Sequence, residues 1–270
     1  MIDLTSTNYH SIESNKVFMS NSQLKDFLDC EVMAMAVIDG IHKKEDTVDK
    51  SVGSFTHAWN EGVLEQFKAD NPGLFLSRGD RKGELKADYL VAEKMISVVQ
   101  NDEFMMDCLS GQKEVIMTAE LFGTPWKIKM DSYIPGVRFC DLKTTCNMNK
   151  KYWLDDQNRY GSFIEAFGYV RQIAIYSEIE RIATGGHGWI QGLIAVVTKE
   201  DYPNKAVLSF EPDFIGIDPL QRELDKVEAI MPRILSVKSG EVAPTRCEKC
   251  AYCRSTKQLD RVIHYSELVG

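Results

Sequence analysis

The sequence predicts an α/β fold: one mixed β-sheet flanked by helices in a single domain. Three observations predict it. Helical periodicity runs through most of residues 22–108. β-Branched and aromatic residues then concentrate in 113–146, broken by Gly123-Thr-Pro125 and Pro135-Gly136. After that, a helical stretch, an apolar strand and a last helix follow in turn. The order α, β-β-β, α, β is that of a sheet with helices packed on it. No internal repeat, low-complexity tract or long linker divides the 270 residues. The expected organisation is an arm at 1–20, a helical part at 21–110, a sheet and helix at 111–215, and a C-terminal helix with a cysteine-rich tail at 216–270.

Each element has a local cause. Residues 1–20 are polar and read as an irregular arm. A helix begins at Ser22, with Ser22 or Asn21 as its cap; Leu24, Phe27, Leu28, Met35 and Ile38 share a face, and Gly40 stops it. A charged loop (42–50) leads to a second helix over 51–69, which carries Gly53, His57 and Glu61 in i, i+4 steps. The turn-rich 71–83 precedes an amphipathic helix over 84–108. Strands are expected at 114–122, 126–133 and 137–143, the first two forming a hairpin. Residues 160–183 return to helix, 189–199 is a buried strand with 206–212 paired to it or near it, and 218–238 is the last helix.

Composition excludes several classes. Lys and Arg number 32 against 40 Asp and Glu, a formal charge of −8, which argues against a basic nucleic-acid coat or polybasic membrane binder but leaves room for a local basic groove. The longest apolar run, Val32 to Ile38, has seven residues, where a membrane span needs about 20. No basic segment followed by an apolar stretch opens the chain, so the protein is expected to be cytoplasmic, in a bacterial host cell, with no membrane partner. Of seven cysteines, Cys247, Cys250 and Cys253 lie within seven residues; in a reducing compartment this points to a metal or cluster site rather than a disulfide framework.

The densest chemical signal is Asp131 followed by Asp141-Leu-Lys143. Alternate side chains on a strand share a face, so Asp141 and Lys143 lie together and Leu142 points into the core. Asp131 ends the preceding strand, and the Pro-Gly turn brings it alongside. Converging carboxylates are costly unless they share a proton or hold a cation, and two oxygen ligands with water and phosphate suit Mg²⁺. A surface salt bridge on a hairpin is the alternative. His57 lies in GSFTHAWNEG, with Gly53 one turn earlier leaving room for close approach. Gln172 and Tyr176, spaced i, i+4, share a helix face with Glu165 and Tyr169.

Taken in order, Gly53-x3-His57, Asp131, Asp141-Leu-Lys143-Thr-Thr and Gln172-x3-Tyr176 resemble the PD-(D/E)xK nuclease superfamily, in its RecE/λ-exonuclease/RecB-like branch, and most of all RecE-type phage or prophage exonucleases. The likeness covers about residues 20–255. It implies a restriction-endonuclease-like mixed sheet and 5′-to-3′ digestion of linear double-stranded DNA, leaving 3′ overhangs for phage-type homologous recombination. By the resemblance, Lys143, Asp131, Asp141, Gln172 and Tyr176 are catalytic. His57, Asp131, Asp141 and the main chain of Leu142 hold Mg²⁺ or Mn²⁺. Met130 stands where the nominal motif has proline.

The segment SNSQLKDFLDC, ending at Cys30, is similar to the N-terminal helix of iron–sulfur RecB-family nucleases, which implies a 4Fe-4S cluster on Cys30, Cys247, Cys250 and Cys253. The close spacing of the last three departs from that family, and zinc with Cys30 or His264, or three free thiols, are the alternatives. Cys108, Cys140 and Cys146 read as bystanders. Ser22 and Lys25, at a helix start, are candidates for gripping DNA phosphate. Lys150, Lys151 and Arg159, interleaved with Tyr152, Trp153 and Tyr160, suit a frayed DNA end. The resemblance further implies a ring-shaped homo-oligomer and a single-strand annealing recombination protein as partner. Two other readings stay open: a RecB-like single-strand nuclease with an iron–sulfur cluster, and a non-catalytic DNA-end-binding scaffold.

Overall fold

A computed structural model describes residues 2–45, 47–155, 157–212, 218–259 and 261–268. The chain runs through helices α1 (Ile12–Val17), α2 (Asn21–Asp29), α3 (Glu31–Ile38), α4 (Val48–Glu61), α5 (Leu64–Asp70), α6 (Ala87–Gln100) and α7 (Glu103–Cys108). Strands β1 (Gln112–Leu121), β2 (Thr124–Ile134) and β3 (Arg138–Thr145) follow, then the short pair β4 (Tyr152–Leu154) and β5 (Arg159–Gly161). Next come α8 (Phe163–Ala166), α9 (Tyr169–Thr184), β6 (Gln191–Thr198), β7 (Lys205–Ser209), α10 (Pro219–Lys238) and α11 (Ala251–Ser255). The expected division near residue 215 lies outside the described residues.

The sheet has the order β1-β2-β3-β6-β7, with β3 and β6 parallel and the other pairs antiparallel. This is the mixed α/β sheet that the sequence predicts. One face is covered by α9, α10, α2 and α3, around Trp126, Phe139, Ile173 and Met231. The other is covered by α4, α6 and α7, around Phe55, Met95, Leu142 and Val197.

The expected helices are present but subdivided. The first breaks at Cys30, whose backbone is extended (φ −171°), into α2 and α3. Its cap is Ser20, not Ser22 or Asn21: the Ser20 hydroxyl accepts from the Gln23 N–H, and Ser22 stands inside the helix. The second starts earlier, on the Thr47 cap, and ends at Gly62 (φ +86°) before α5. The third divides at Asp102, which caps α7. The expected helix over 160–183 opens instead with strand β5, then α8, and Gly168 (φ +69°) separates α8 from α9.

The largest correction concerns the arm. Residues 1–20 carry α1, and Met19 is fully buried. The ladder between β2 and β3 covers only Ser132–Ile134, leaving the β2 edge open toward Pro125. Open backbone groups need partners, and Met19 supplies them: its N–H donates to Pro125 O (2.8 Å), and Lys127 N–H donates to Met19 O (2.9 Å). The Lys127 ammonium, 1 % exposed, ties the arm down further by donating to Ser14 Oγ and Asn15 Oδ1 (both 2.8 Å) and to the Tyr9 carbonyl. Polarity along the arm thus reflects oxygens turned inward onto a lysine.

Candidate active site

The site forms where β2 and β3 part. Beyond the Ser132↔Cys140 pair the two strands leave their ladder, and the β1–β2 ladder skips Glu114 opposite Asp131, with Glu114 at φ +52°. Asp131 therefore sits inside β2 rather than at its end, in a local opening of the sheet. Its Oδ2 replaces a missing ladder acceptor by taking the Leu142 N–H at 2.7 Å. The same oxygen lies 3.2 Å from His57 Nδ1. Asn60, one turn from His57 on α4, donates to the Asp131 carbonyl (3.4 Å) and accepts from Lys113 Nζ (2.8 Å).

On β3, period-two alternation puts Asp141 and Lys143 on the α9 side and buries Leu142 on the α4 side. The Lys143 ammonium pairs with Asp141 Oδ2, and Gln172 on α9 donates to that oxygen at 2.8 Å. One helix layer thus delivers His57 to Asp131, and the other delivers Gln172 to Asp141. The opening between strands lets both reach one place.

The electrostatics follow from burial. Asp131 and Asp141 are 7 % and 2 % exposed, and two neighbouring buried carboxylates cannot both ionise freely. Burial opposes the charge on Asp131, but His57, Lys143 and the Leu142 N–H prevail and hold its carboxyl below the ordinary range. Burial and the Asp131 charge push Asp141 up, with Lys143 opposing. His57 is held above its ordinary value because Asp131 outweighs desolvation. Lys143 is raised despite burial by Asp141 and Asp131.

By chemistry the donor set fits a hard divalent cation: two carboxylates, an imidazole and the nearby Leu142 main chain. In this conformation the Lys143 ammonium neutralises Asp141, and the His57 imidazole faces Asp131. Among the described residues, only the four cysteines bring three or more His, Cys, Asp or Glu ligand atoms within 4.8 Å of one another.

Other expected residues are distributed as follows. Tyr176 is buried on α9 against Phe139, with ring centres 6.1 Å apart. Glu165 does not share the Gln172 and Tyr176 face; the Gly168 break puts it in the α8 capping box, paired with Arg159. Arg159 is thus engaged on β5. Lys150 lies 5.1 Å from the Tyr152 ring centre, Lys151 is exposed beside it, and Lys25 stands 5.6 Å from the Phe167 ring centre. Gly53 faces Thr144: a Cβ there would lie 3.5 Å from its Oγ1, an ordinary van der Waals contact, so the approach of α4 to β3 does not itself require a glycine.

Sequence reasoning missed Tyr169 as a neighbour of Lys143, with its ring centre 5.3 Å from the ammonium, and missed Asn60 and Lys113 behind Asp131. Asn60 follows His57 by three, a helical spacing that could have flagged it. Nothing local marks Lys113.

The cysteine expectation meets a defined geometry. Cys30, at the α2–α3 break, faces Cys247, Cys250 and Cys253, all four sulfurs lying within 4.8 Å of one another. Cys30 Sγ is 3.5 Å from Cys253 Sγ, which is 3.9 Å from Cys247 Sγ. Backbone N–H groups of the tail loop pull the half-buried Cys247 thiol down to about 6, as a ligand thiolate requires. His264 is exposed and contacts Ser266 and Tyr265. Cys108, at the end of α7, and Cys140, on β3, are buried in the core between that helix layer and the sheet, and Cys146 is exposed.

Comparison with known proteins places this geometry. No curated protein matches the chain. A crystal structure of a protein from Eubacterium rectale, provisionally named an exonuclease, is similar over 100 % of this chain and 99 % of its own, with 42 % identity and a TM-score of 0.91. A structure of SSO0001 aligns over 83 % of this chain and 87 % of its own at 15 % identity, with a TM-score of 0.24 that carries no argument. The family described as PDDEXK-like domain of unknown function (DUF3799) matches residues 20–256, which include His57, both aspartates, Lys143 and all four clustered cysteines. With that match and a full-length relative of the same fold, the chain belongs to this PDDEXK-like family.

Proposed function

We propose that the protein is a Mg²⁺- or Mn²⁺-dependent exodeoxyribonuclease that digests linear double-stranded DNA, 5′ to 3′, and leaves 3′ overhangs for phage-type recombination. The observation that carries this reading is the opening between β2 and β3. There Asp131 and Asp141 are buried beside the half-buried Lys143, each held by a helix of a different layer or by its neighbour. A buried pair of carboxylates with an adjacent ammonium is expensive for a fold to keep. Phosphodiester hydrolysis gives it a use.

A divalent ion on His57, Asp131, Asp141 and the Leu142 carbonyl would polarise the phosphoryl oxygen, acidify a water and neutralise the leaving oxygen. The chain's own residues set the stage for that chemistry. Gln172 fixes the Asp141 carboxylate, and the Leu142 N–H and His57 fix that of Asp131. Lys143, released from Asp141, donates to a non-bridging phosphate oxygen and stabilises charge in the transition state. The Tyr169 ring lies 5.3 Å from its ammonium. Ser22, Lys25, Lys150 and Lys151 are placed here as contacts to the DNA backbone. A ring-shaped homo-oligomer around the duplex and a single-strand annealing protein as recipient of the 3′ tail complete the proposal; both rest on the family likeness.

The cysteine tetrad favours a second reading, a RecB-like single-strand nuclease with a structural metal. Its sulfur spacings match those around one tetrahedral zinc, for which Zn–S bonds of about 2.3 Å put sulfurs roughly 3.8 Å apart. A 4Fe-4S cube would need the sulfurs to spread. A non-catalytic end-binding scaffold finds less support, because it has no use for the buried acidic pair.

The test is digestion of linear duplex, circular duplex and single-stranded DNA with Mg²⁺ or Mn²⁺, using separate 5′ and 3′ labels. Early release of the 5′ label from linear duplex alone is expected. First release of the 3′ label refutes the polarity, preference for single strands selects the second reading, and cutting of circles refutes an exonuclease. Asp131→Asn and Lys143→Met should each lower the rate by at least about 10³-fold with the fold retained. Activity within tenfold of wild type would mean the chemistry lies elsewhere.

A further inference from the structure

Beside the α8–α9 junction lies a cavity of about 580 Å³, a size suited to a small ligand. The β4–β5 ribbon forms one wall, and α9 and α10 form the other. Four cations line it. Two are neutralised locally, Arg159 by Glu165 and Lys226 by Glu223. Arg171 and Arg222 have no ion-pair partner among the described residues. The Asp155 carboxylate stands exposed at the rim.

Arg171 is the unusual member. It occupies the first turn of the 16-residue α9, where the helix dipole disfavours a cation. Its guanidinium folds back so closely over Gly168 that a Cβ there would lie 2.5 Å from an NH2 nitrogen. Its Nε is buried and makes no hydrogen bond. A half-buried guanidinium with an unsatisfied donor, which feels the Glu223 and Asp29 carboxylates without ion-pairing to either and shares the cavity with the exposed Arg222, is a seat for an anion. The wall above it carries Trp153, half exposed, braced edge-on by Tyr160 with ring centres 5.1 Å apart. An exposed aromatic face over an anion-seeking pair is the combination that binds a base and its phosphate together.

We propose that this cavity binds a nucleoside phosphate, with the phosphate on Arg171 and Arg222 and the base on Trp153. The assignment rests on the nuclease reading. The cavity reaches Gly168, next to Tyr169, whose ring lies 5.3 Å from the Lys143 ammonium, so a strand at the site has a short path into it. The occupant is either one unit of the bound strand or the released mononucleotide.

The test is binding in EDTA, without turnover. A short fluorescent oligothymidylate, dTMP and inorganic phosphate are titrated into the full chain, following anisotropy and tryptophan quenching, with Trp153→Phe as the optical reference. Arg171→Gln and Trp153→Ala are each expected to weaken nucleotide binding about tenfold or more, and Arg171→Lys less. Tighter binding of the oligonucleotide identifies strand capture, and equal binding of dTMP identifies the product; either supports the site. Phosphate binding as tightly as both refutes the role of the base. Unchanged affinity in correctly folded Arg171→Gln and Trp153→Ala overturns the proposal. Mg²⁺-dependent digestion of long duplex by wild type, measured separately, shows whether the nuclease reading survives such a failure.

Discussion

Gly192→Ala should damage the active site without touching it. Gly192 lies on β6 opposite Phe139 of β3, under α9. A Cβ at this position would stand 2.7 Å from Ile173 Cγ2 and 2.8 Å from Phe139 Cζ. Carbon atoms pack at about 3.5–4.0 Å, so each neighbour is about 1 Å too close. Both are fully buried, which leaves α9 to move outward. Ile173 adjoins Gln172, whose amide is 2.8 Å from Asp141, so a shift of α9 by that amount breaks the hydrogen bond. Overpacking of this kind costs about 1–3 kcal/mol, and a misplacement of about 1 Å costs roughly 10²-fold in rate. Urea unfolding and hydrolysis of linear duplex read the two effects. Ile173→Leu removes the offending methyl branch and should recover part of both losses in the double variant. A Gly192→Ala protein as stable and active as wild type would refute the claim that α9 is seated through this contact.

Three further outcomes follow. Cys30→Ala should lose bound metal as fully as Cys253→Ala, while Cys146→Ala keeps it; elemental analysis after anaerobic purification decides between iron and zinc, and full occupancy without Cys30 would remove it from the ligand set. Lys127→Met should cost about 2 kcal/mol at neutral pH by leaving the arm's oxygens without a donor. Burial, with Lys238 nearby, lowers Lys127 to about 8, so its ionisation penalty is full below that pH and relieved as pH rises through it; the variant's deficit in urea unfolding should therefore widen from pH 7 to about 9.5, and a narrowing deficit would refute the assignment. Tyr133→Phe should cost about 2 kcal/mol in the same assay, because the Tyr133 hydroxyl donates at 2.8 Å to Glu180, which is 2 % exposed; a loss below about 0.5 kcal/mol would show another partner for Glu180.

The candidate site was partly legible in the chain. Asp141 and Lys143 could be paired from strand alternation alone, because a period of two is a property of any strand. His57 could be placed on a helix but not opposite Asp131, since their meeting depends on how α4 packs on the sheet. Glu165 was misplaced because Gly168 takes a positive φ that composition does not announce. The arm was misread because its polar atoms satisfy a buried lysine more than a hundred residues away.

By itself, the sequence determined the mixed α/β class, the strand–turn–strand run through Asp131 and Lys143, and the three-cysteine tail, all of them features of local periodicity and spacing. The tertiary structure alone decided that β2 and β3 separate at Asp131, that helices from both layers enter that opening, that Cys30 rather than His264 stands with the three tail cysteines, and that Arg171 is left without an ion pair in a cavity. The physical reason is that local pattern is set by covalent geometry and solvent exposure along the chain. The convergence of distant side chains is set by which surfaces bury one another, a choice made only by the folded whole.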